Sequence, residues 1–220
     1  MVTLSEDESR VLGVLVEKAQ TVPGQYPMTL NSVVLGCNQK NNRDPVTSLT
    51  EERVYDAIDR LKAKGLVREA FLSGSRVAKY RHLAREVLNV GTEELVLLTE
   101  LLLRGPQSAG ELRGRASRMH PLETLEAAQG FLAGLRSRSE PMVRELPARP
   151  GERATRWVQL LSPDLHPVDA GAAAAPARES AAGQRESSDL EARIDSLEQE
   201  IESLRAEVTA LGEQVQRVSG

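Results

Sequence analysis

The clearest pattern of apolar and polar positions lies at the end of the chain. Between residues 190 and 218, apolar residues recur at alternating spacings of four and three, with isoleucine or valine at the a positions and leucine at most d positions. Such heptads predict a helix in a parallel two-stranded coiled coil over residues 188–218. The alternative is an amphipathic helix that packs on its own domain. The residues expected at the dimer interface are Leu190, Ile194, Leu197, Ile201, Leu204, Val208, Leu211 and Val215.

The segment before this helix, residues 163–187, has a different composition. It is rich in alanine, glycine, serine and proline, and it contains no large apolar residue after Val168. Because such a segment cannot bury enough apolar surface to fold, it predicts a flexible linker whose function is reach.

Residues 1–162 repeat one order of elements, three helices followed by two β-like runs. In the first copy, Ser5, Thr29 and Thr50 are the expected N-caps, because each precedes a segment of helical apolar periodicity. The β-like runs of this copy cover residues 66–72 and 76–83.

The second copy has the same order. Thr92 and Ser108 are its expected N-caps, the third helix is expected over residues 121–135, and the β-like runs cover residues 142–146 and 153–161. Together the copies predict a mainly helical α+β protein. It would consist of two tandem winged helix-turn-helix domains, residues 1–86 and 90–162, followed by the coiled-coil helix.

Several sequence blocks resemble the YceH family of bacterial proteins. The longest is Cys37-Asn38-Gln39-Lys40-Asn41-Asn42-Arg43-Asp44-Pro45-Val46, and shorter ones are Val77-Ala78-Lys79-Tyr80, Gly110-Glu111-Leu112-Arg113 and Pro150-Gly151-Glu152-Arg153. The likeness covers about residues 3–161. It implies a tandem winged-helix fold, and it implies no particular activity.

The polar block at the end of the second predicted helix has two interpretations. Amides and cations clustered at a helix end suit contacts with phosphates or base edges, which makes this block a candidate nucleic-acid contact. Alternatively, the asparagines bond the backbone and adopt left-handed conformations at a helix end and turn. The residues concerned are Asn38, Gln39, Lys40, Asn42 and Arg43.

Charge is distributed unevenly along the chain. The formal net charge is −4, but residues 187–220 hold eight acidic residues and three arginines, and residues 162–186 hold four acidic residues and two arginines. These two segments carry −5 and −2, which leaves residues 1–161 with a charge of +3. Basic residues gather on the predicted wings and on the short helix of the second copy. These further candidates for nucleic-acid contact are Arg76, Lys79, Arg113, Arg149 and Arg153.

The third helix of the first copy is unusual for a DNA-reading helix. Glu52, Asp56 and Asp59 are spaced four and three apart, which places them in one stripe on the exposed face. Because carboxylates repel phosphates, this helix suits a protein partner better than a major groove. The stripe is therefore a candidate protein-interaction site.

The sequence gives no sign of an enzyme, and neither a cofactor nor a metal site is expected. The three histidines are scattered, there is no nucleophile elbow or phosphate-binding loop, and the one cysteine, Cys37, lies on an apolar helix face where a buried structural thiol is expected. No apolar run is long enough to span a membrane, and the chain begins without a signal peptide, so a cytoplasmic location is expected.

Two functions of different classes fit these observations. The first is a DNA-associated regulator of unknown target, homodimeric through its tail, with double-stranded DNA as its partner. The second is an adaptor that uses the winged-helix fold to bind another protein and does not bind DNA.

Overall fold

The predicted caps stand at the beginnings of the helices of the first repeat. The computed structural model describes residues 2–70, 77–149 and 151–166. Ser5 caps its helix and forms a reciprocal capping box with Glu8, and Thr29 and Thr50 each accept a hydrogen bond from a backbone N–H in the first turn. The elements of this repeat are α1 (Glu6–Thr21), β1 (Met28–Thr29), α2 (Leu30–Cys37), α3 (Glu51–Ala63), β2 (Val67–Ala70), β3 (Lys79–His82) and α4 (Ala84–Val87).

The second repeat has the same order, but its described residues, which end at residue 166, contain no counterpart of α4. Ser108 forms the expected capping box with Glu111, and Gly105, with a φ of 75°, ends the first helix of the repeat. Its elements are α5 (Thr92–Arg104), β4 (Gln107–Ser108), α6 (Ala109–Ala116), α7 (Leu125–Arg136), β5 (Val143–Leu146) and β6 (Arg156–Gln159).

Each repeat contains an antiparallel three-stranded sheet in which the last strand lies in the middle. The strand orders are β1-β3-β2 and β4-β6-β5. The outer strands β1 and β4 are only two residues long, and each lies directly before a helix that begins with a capping hydroxyl. Sheet and helices therefore meet at Thr29 in the first repeat and at Ser108 in the second.

The two repeats pack through their first helices, α1 and α5. A Cβ atom at Gly13 would lie 2.7 Å from a methyl carbon of Leu103, so any larger residue would force Leu103 or the helices to shift. Two backbone hydrogen bonds also join the repeats, from Leu4 to Leu161 and from Asp44 to Leu103. Apolar residues of both repeats form one core, which includes Leu15, Leu98, Leu101 and Leu132.

The structure confirms the α+β class and corrects three details. The first helix of the second repeat is capped by Gly91, not by Thr92. The third helix begins at Leu125, after the N-cap Thr124, and not at residue 121. The short strands β1 and β4 were not predicted, because two residues carry no alternating pattern.

Part of the predicted organisation lies outside the described residues. This holds for the coiled coil over residues 188–218 and for the linker from residue 167 onward. Across the described ranges, the longest helices are too short or too polar to cross a lipid bilayer.

Candidate nucleic-acid interface and the buried ion network

On one face of the first sheet, the described residues are cations and uncharged side chains. Side chains alternate between the two faces of a strand, and on β2 and β3 the buried residues Val67 and Tyr80 mark the inner face. Arg68 lies directly opposite Arg81 on the outer face. We define the first sheet face as Thr29, Arg68, Ala70, Lys79 and Arg81.

Within the described part of the chain, no carboxylate pairs with a cation of the first sheet face. Arg68 is exposed, and neither Arg68 nor Arg81 forms an ion pair with another described residue. The Nε atom of Arg81 is buried without a hydrogen-bond partner. Like charges directly opposite each other on neighbouring strands destabilise a sheet. An anion bound at this face would relieve that repulsion.

The second sheet repeats part of this arrangement. Val143-Arg144-Glu145 on β5 copies the sequence of Val67-Arg68-Glu69 on β2, and Arg144 is exposed like Arg68. Arg156 takes the position of Lys79. Burial lowers the pKa of Arg156, and the nearby charge of Arg149 lowers it further.

The remaining candidate cations lie in different settings. Arg149 and Arg153 are exposed in the loop between β5 and β6, and Arg76 lies outside the described residues. Arg113 donates hydrogen bonds to the backbone carbonyls of Leu122 and Glu123, so it holds the loop that leads into α7.

Most of the polar block after α2 is engaged in holding the chain. The side-chain amide of Asn38 donates to the carbonyl of Leu49 and accepts from its N–H, at 2.8 and 2.7 Å. Asn42 has a left-handed backbone with φ of 58° and accepts a hydrogen bond from Arg104. Gln39 accepts one from Lys18, whereas Lys40 is exposed.

Arg43 requires a correction. Its side chain is 0% exposed and pairs with Glu17 at 2.5 Å, and it also donates to the carbonyl of Gly36. A guanidinium group that is fully enclosed cannot reach a phosphate. The prediction that Arg43 contacts nucleic acid is therefore wrong for this structure, and Arg43 is a structural residue.

Arg43 belongs to a network of buried charges between the two repeats. Glu17 on α1 and Glu100 on α5 are both fully enclosed, and Arg118 donates to both carboxylates, at 2.5 and 3.1 Å. Burial raises the pKa of Glu17, but Arg43 and Arg118 outweigh this effect and hold the pKa below its usual value. Glu17 is therefore ionised at neutral pH, and the network joins α1 and α5.

The sequence did not reveal this network. Glu17 and Arg118 are separated by 101 residues, and no local spacing connects them. The available signal was Glu100, which stands among leucines in α5, because an isolated charge at such a position needs a partner.

The acidic stripe on α3 is exposed as expected. Asp56 lies 3.9 Å from Arg60, and Asp59 lies 3.5 Å from Lys62, both on the same helix. Glu52 is exposed, and Tyr55 beside it is 51% exposed. The face therefore combines carboxylates with one aromatic ring.

The structure also locates the groups considered for chemistry. Cys37 is fully buried, and burial raises the pKa of its thiol to about 12, so it is a structural residue as expected. Among the residues that the structure describes, no three histidine, cysteine, aspartate or glutamate side chains lie close enough together to hold a metal ion.

Comparison with known proteins gives the family. Residues 4–152 match the family model described as "Protein of unknown function, DUF480". This chain belongs to the DUF480 family. The match agrees with the resemblance to the YceH family.

Proteins described as UPF0502 are similar to this chain over most of its length. A UPF0502 protein of Leptothrix cholodnii is 48% identical over 174 residues, which is 78% of each chain. A UPF0502 protein of Geobacter sulfurreducens is 47% identical over 80% of this chain and 81% of its own. Another from Citrifermentans bemidjiense is 50% identical over 74% of this chain and 76% of its own.

Proposed function

We propose that this DUF480 protein is a non-enzymatic, DNA-associated regulator that contacts the phosphate backbone of duplex DNA with its sheet faces. Each repeat serves as a winged helix-turn-helix unit, and the coiled coil over residues 188–218 joins two chains. The pairing of Arg68 with Arg81 on the first sheet face is the observation that carries this proposal.

The order of elements in each repeat supports the winged-helix assignment. A helix, a short strand, two helices and a hairpin follow one another, and the last strand lies between the other two. In such units the hairpin forms a wing beside the third helix, so cations on the sheet can reach the same duplex as the helix.

The charges favour contact with the backbone over recognition of bases. Contacts with phosphates supply affinity without sequence information. The helices α3 and α7 would be the base-reading elements of winged-helix units, but α3 exposes Glu52, Asp56 and Asp59, and α7 exposes Glu126. Carboxylates at these positions oppose entry into a major groove, whereas the first sheet face carries only cations and neutral residues.

Salt dependence of binding tests this proposal. Full-length protein should bind labelled duplexes of unrelated sequence with similar affinity, because backbone contacts do not distinguish bases. Affinity measured by fluorescence anisotropy should fall steeply between about 50 and about 200 mM salt, as each contacted phosphate releases counterions. Binding too weak to measure at about 50 mM salt would overturn the proposal, because electrostatic attraction is screened less there than at physiological salt.

The acidic stripe on α3 favours a second candidate function, an adaptor that binds protein. Exposed carboxylates around Tyr55 suit a basic segment of a partner. Replacing Glu52, Asp56 and Asp59 by their amides distinguishes the two functions. The adaptor predicts loss of a co-purifying partner, whereas DNA binding near α3 predicts slightly tighter binding of duplex.

A further inference from the structure

We infer that the seam between the two repeats is a second contact site for the phosphodiester backbone, so that one duplex contacts both repeats. This inference rests on the proposed function. We define the seam patch as the partly or fully exposed cations Lys18, Lys40, Arg104, Arg115 and Arg118.

The buried network leaves an excess of positive charge at the seam. Two enclosed carboxylates, Glu17 and Glu100, are the only acids of the network among the described residues. Four cations face them, namely Lys18, Arg43, Arg104 and Arg118. Since Arg43 is enclosed, the excess charge is directed to solvent by the other three, whose side chains are 24–29% exposed.

Neutral partners hold two of the arginines in place. Arg104 donates a hydrogen bond to the side-chain oxygen of Asn42, and Arg115 donates one to that of Gln107, both at 2.7 Å. Gln107 is itself buried and fixed by the carbonyls of Glu100 and Gly105. Each arginine also lies 3.6 Å from a carboxylate, Arg104 from the enclosed Glu100 and Arg115 from the exposed Glu111. The amides fix the orientation of both guanidinium groups, so these cations are positioned for an anion before it arrives.

The arginines of the seam influence one another. Burial lowers the pKa of Arg104, and the nearby charge of Arg115 lowers it further. A phosphate is the anion that suits such a group, because guanidinium groups bind its oxygens with paired hydrogen bonds. The seam lies between the two repeats, so a backbone bound there is shared by both.

The test replaces cations that carry little of the fold. The seam variant is Lys40→Gln with Arg115→Gln. The matched control is Arg53→Gln with Arg60→Gln, two cations on α3 that form ion pairs with Asp7 and Asp56 respectively. Both full-length variants lose two charges, so a difference between them reports position and not net charge. Thermal unfolding first confirms that each variant is folded.

The expected result concerns the salt slope of duplex binding. The slope of log affinity against log salt should decrease by about two in the seam variant, since each lost phosphate contact removes about 0.9. The control should keep the wild-type slope. Equal slopes in both variants, with wild-type protein that still binds, would overturn the inference and leave the proposed function intact. Failure of wild-type protein to bind duplex would overturn both.

Discussion

His82 is the residue whose protonation opposes folding most clearly. It lies opposite the buried Val67, its backbone N–H donates to the hydroxyl of Tyr26, and its Nδ1 atom is buried without a partner. Burial lowers the pKa of His82 to about 4. Between pH 6.5 and pH 4 the unfolded chain therefore binds more protons than the folded one, and stability is lost as the pH falls through this window.

This shift predicts a specific pH dependence. Between pH 7 and pH 5, His82 should cost about 2 kcal/mol of unfolding free energy, from about 1.4 kcal/mol for each unit below the unfolded pKa. His82→Gln should remove this loss, and glutamine is the residue at the matching place in β6, Gln159. Urea unfolding of both proteins at both pH values measures the effect. An identical pH dependence in the variant would contradict the assignment.

Glu17 is the buried carboxylate that pairs with both Arg43 and Arg118. Glu17→Gln should lower the unfolding free energy by about 3 kcal/mol or more, because the enclosed guanidinium of Arg43 loses its counter-charge. Asp7→Asn is the matched control, since it breaks the more exposed pair with Arg53 and should cost only about 0–1 kcal/mol. Urea unfolding at neutral pH compares the two. Equal losses would mean that the network does not hold the repeats together.

At the scale of elements, the sequence predicts what local chemistry determines. Ser5, Thr29 and Ser108 were recognised as caps because a cap and its partner lie within one turn of helix. Gly91 was missed because it caps the helix without a side chain, and because Thr92 beside it belongs to a residue type that is more common at N-caps. The start of α7 was placed too early, since Pro121 and Glu123 are as typical of a first helical turn as of a loop.

Replacement by alanine should change the unfolding free energy in opposite directions at Gly13 on α1 and at Gly114 on α6. A Cβ atom at Gly114 on α6 would meet no heavy atom within 4 Å, so Gly114→Ala should raise the unfolding free energy by about 1 kcal/mol. Gly13→Ala should destabilise, because its Cβ would meet the fully buried Leu103 at 2.7 Å. Thermal unfolding of both variants tests the packing of α1 on α5. Stabilisation by both changes would contradict the close approach of these helices.

At the scale of the whole molecule, the sequence did not reveal which polar residues lie together. The face shared by Arg68 and Arg81 depends on strand register, and the network around Glu17 depends on contacts between repeats. Arg43 belongs to a block that the sequence left open between a nucleic-acid contact and a structural turn. Its burial against Glu17 decides for structure at this residue.

The assembly of the full chain remains a prediction from its heptads. Full-length protein should be a dimer, and deletion of residues 187–220 should give a folded monomer by light scattering. Ile201→Asp with Leu204→Asp should act like the deletion, since unpaired charges in a coiled-coil seam are costly. Ser203→Asp, outside the a and d positions, is the control that should remain dimeric. A truncated protein that stays dimeric would place the interface within the two repeats.

The central claim is that the first sheet face contacts the backbone of duplex DNA. Its most direct test is the affinity of the triple variant Arg68→Gln, Lys79→Gln and Arg81→Gln for a random-sequence duplex. The control is the triple variant Arg53→Gln, Arg60→Gln and Lys62→Gln, which replaces three cations of α3 that form ion pairs with carboxylates. We predict at least about a tenfold loss of affinity for the sheet variant at about 100 mM salt, and near wild-type affinity for the control. Equal dissociation constants for the two variants would contradict the account.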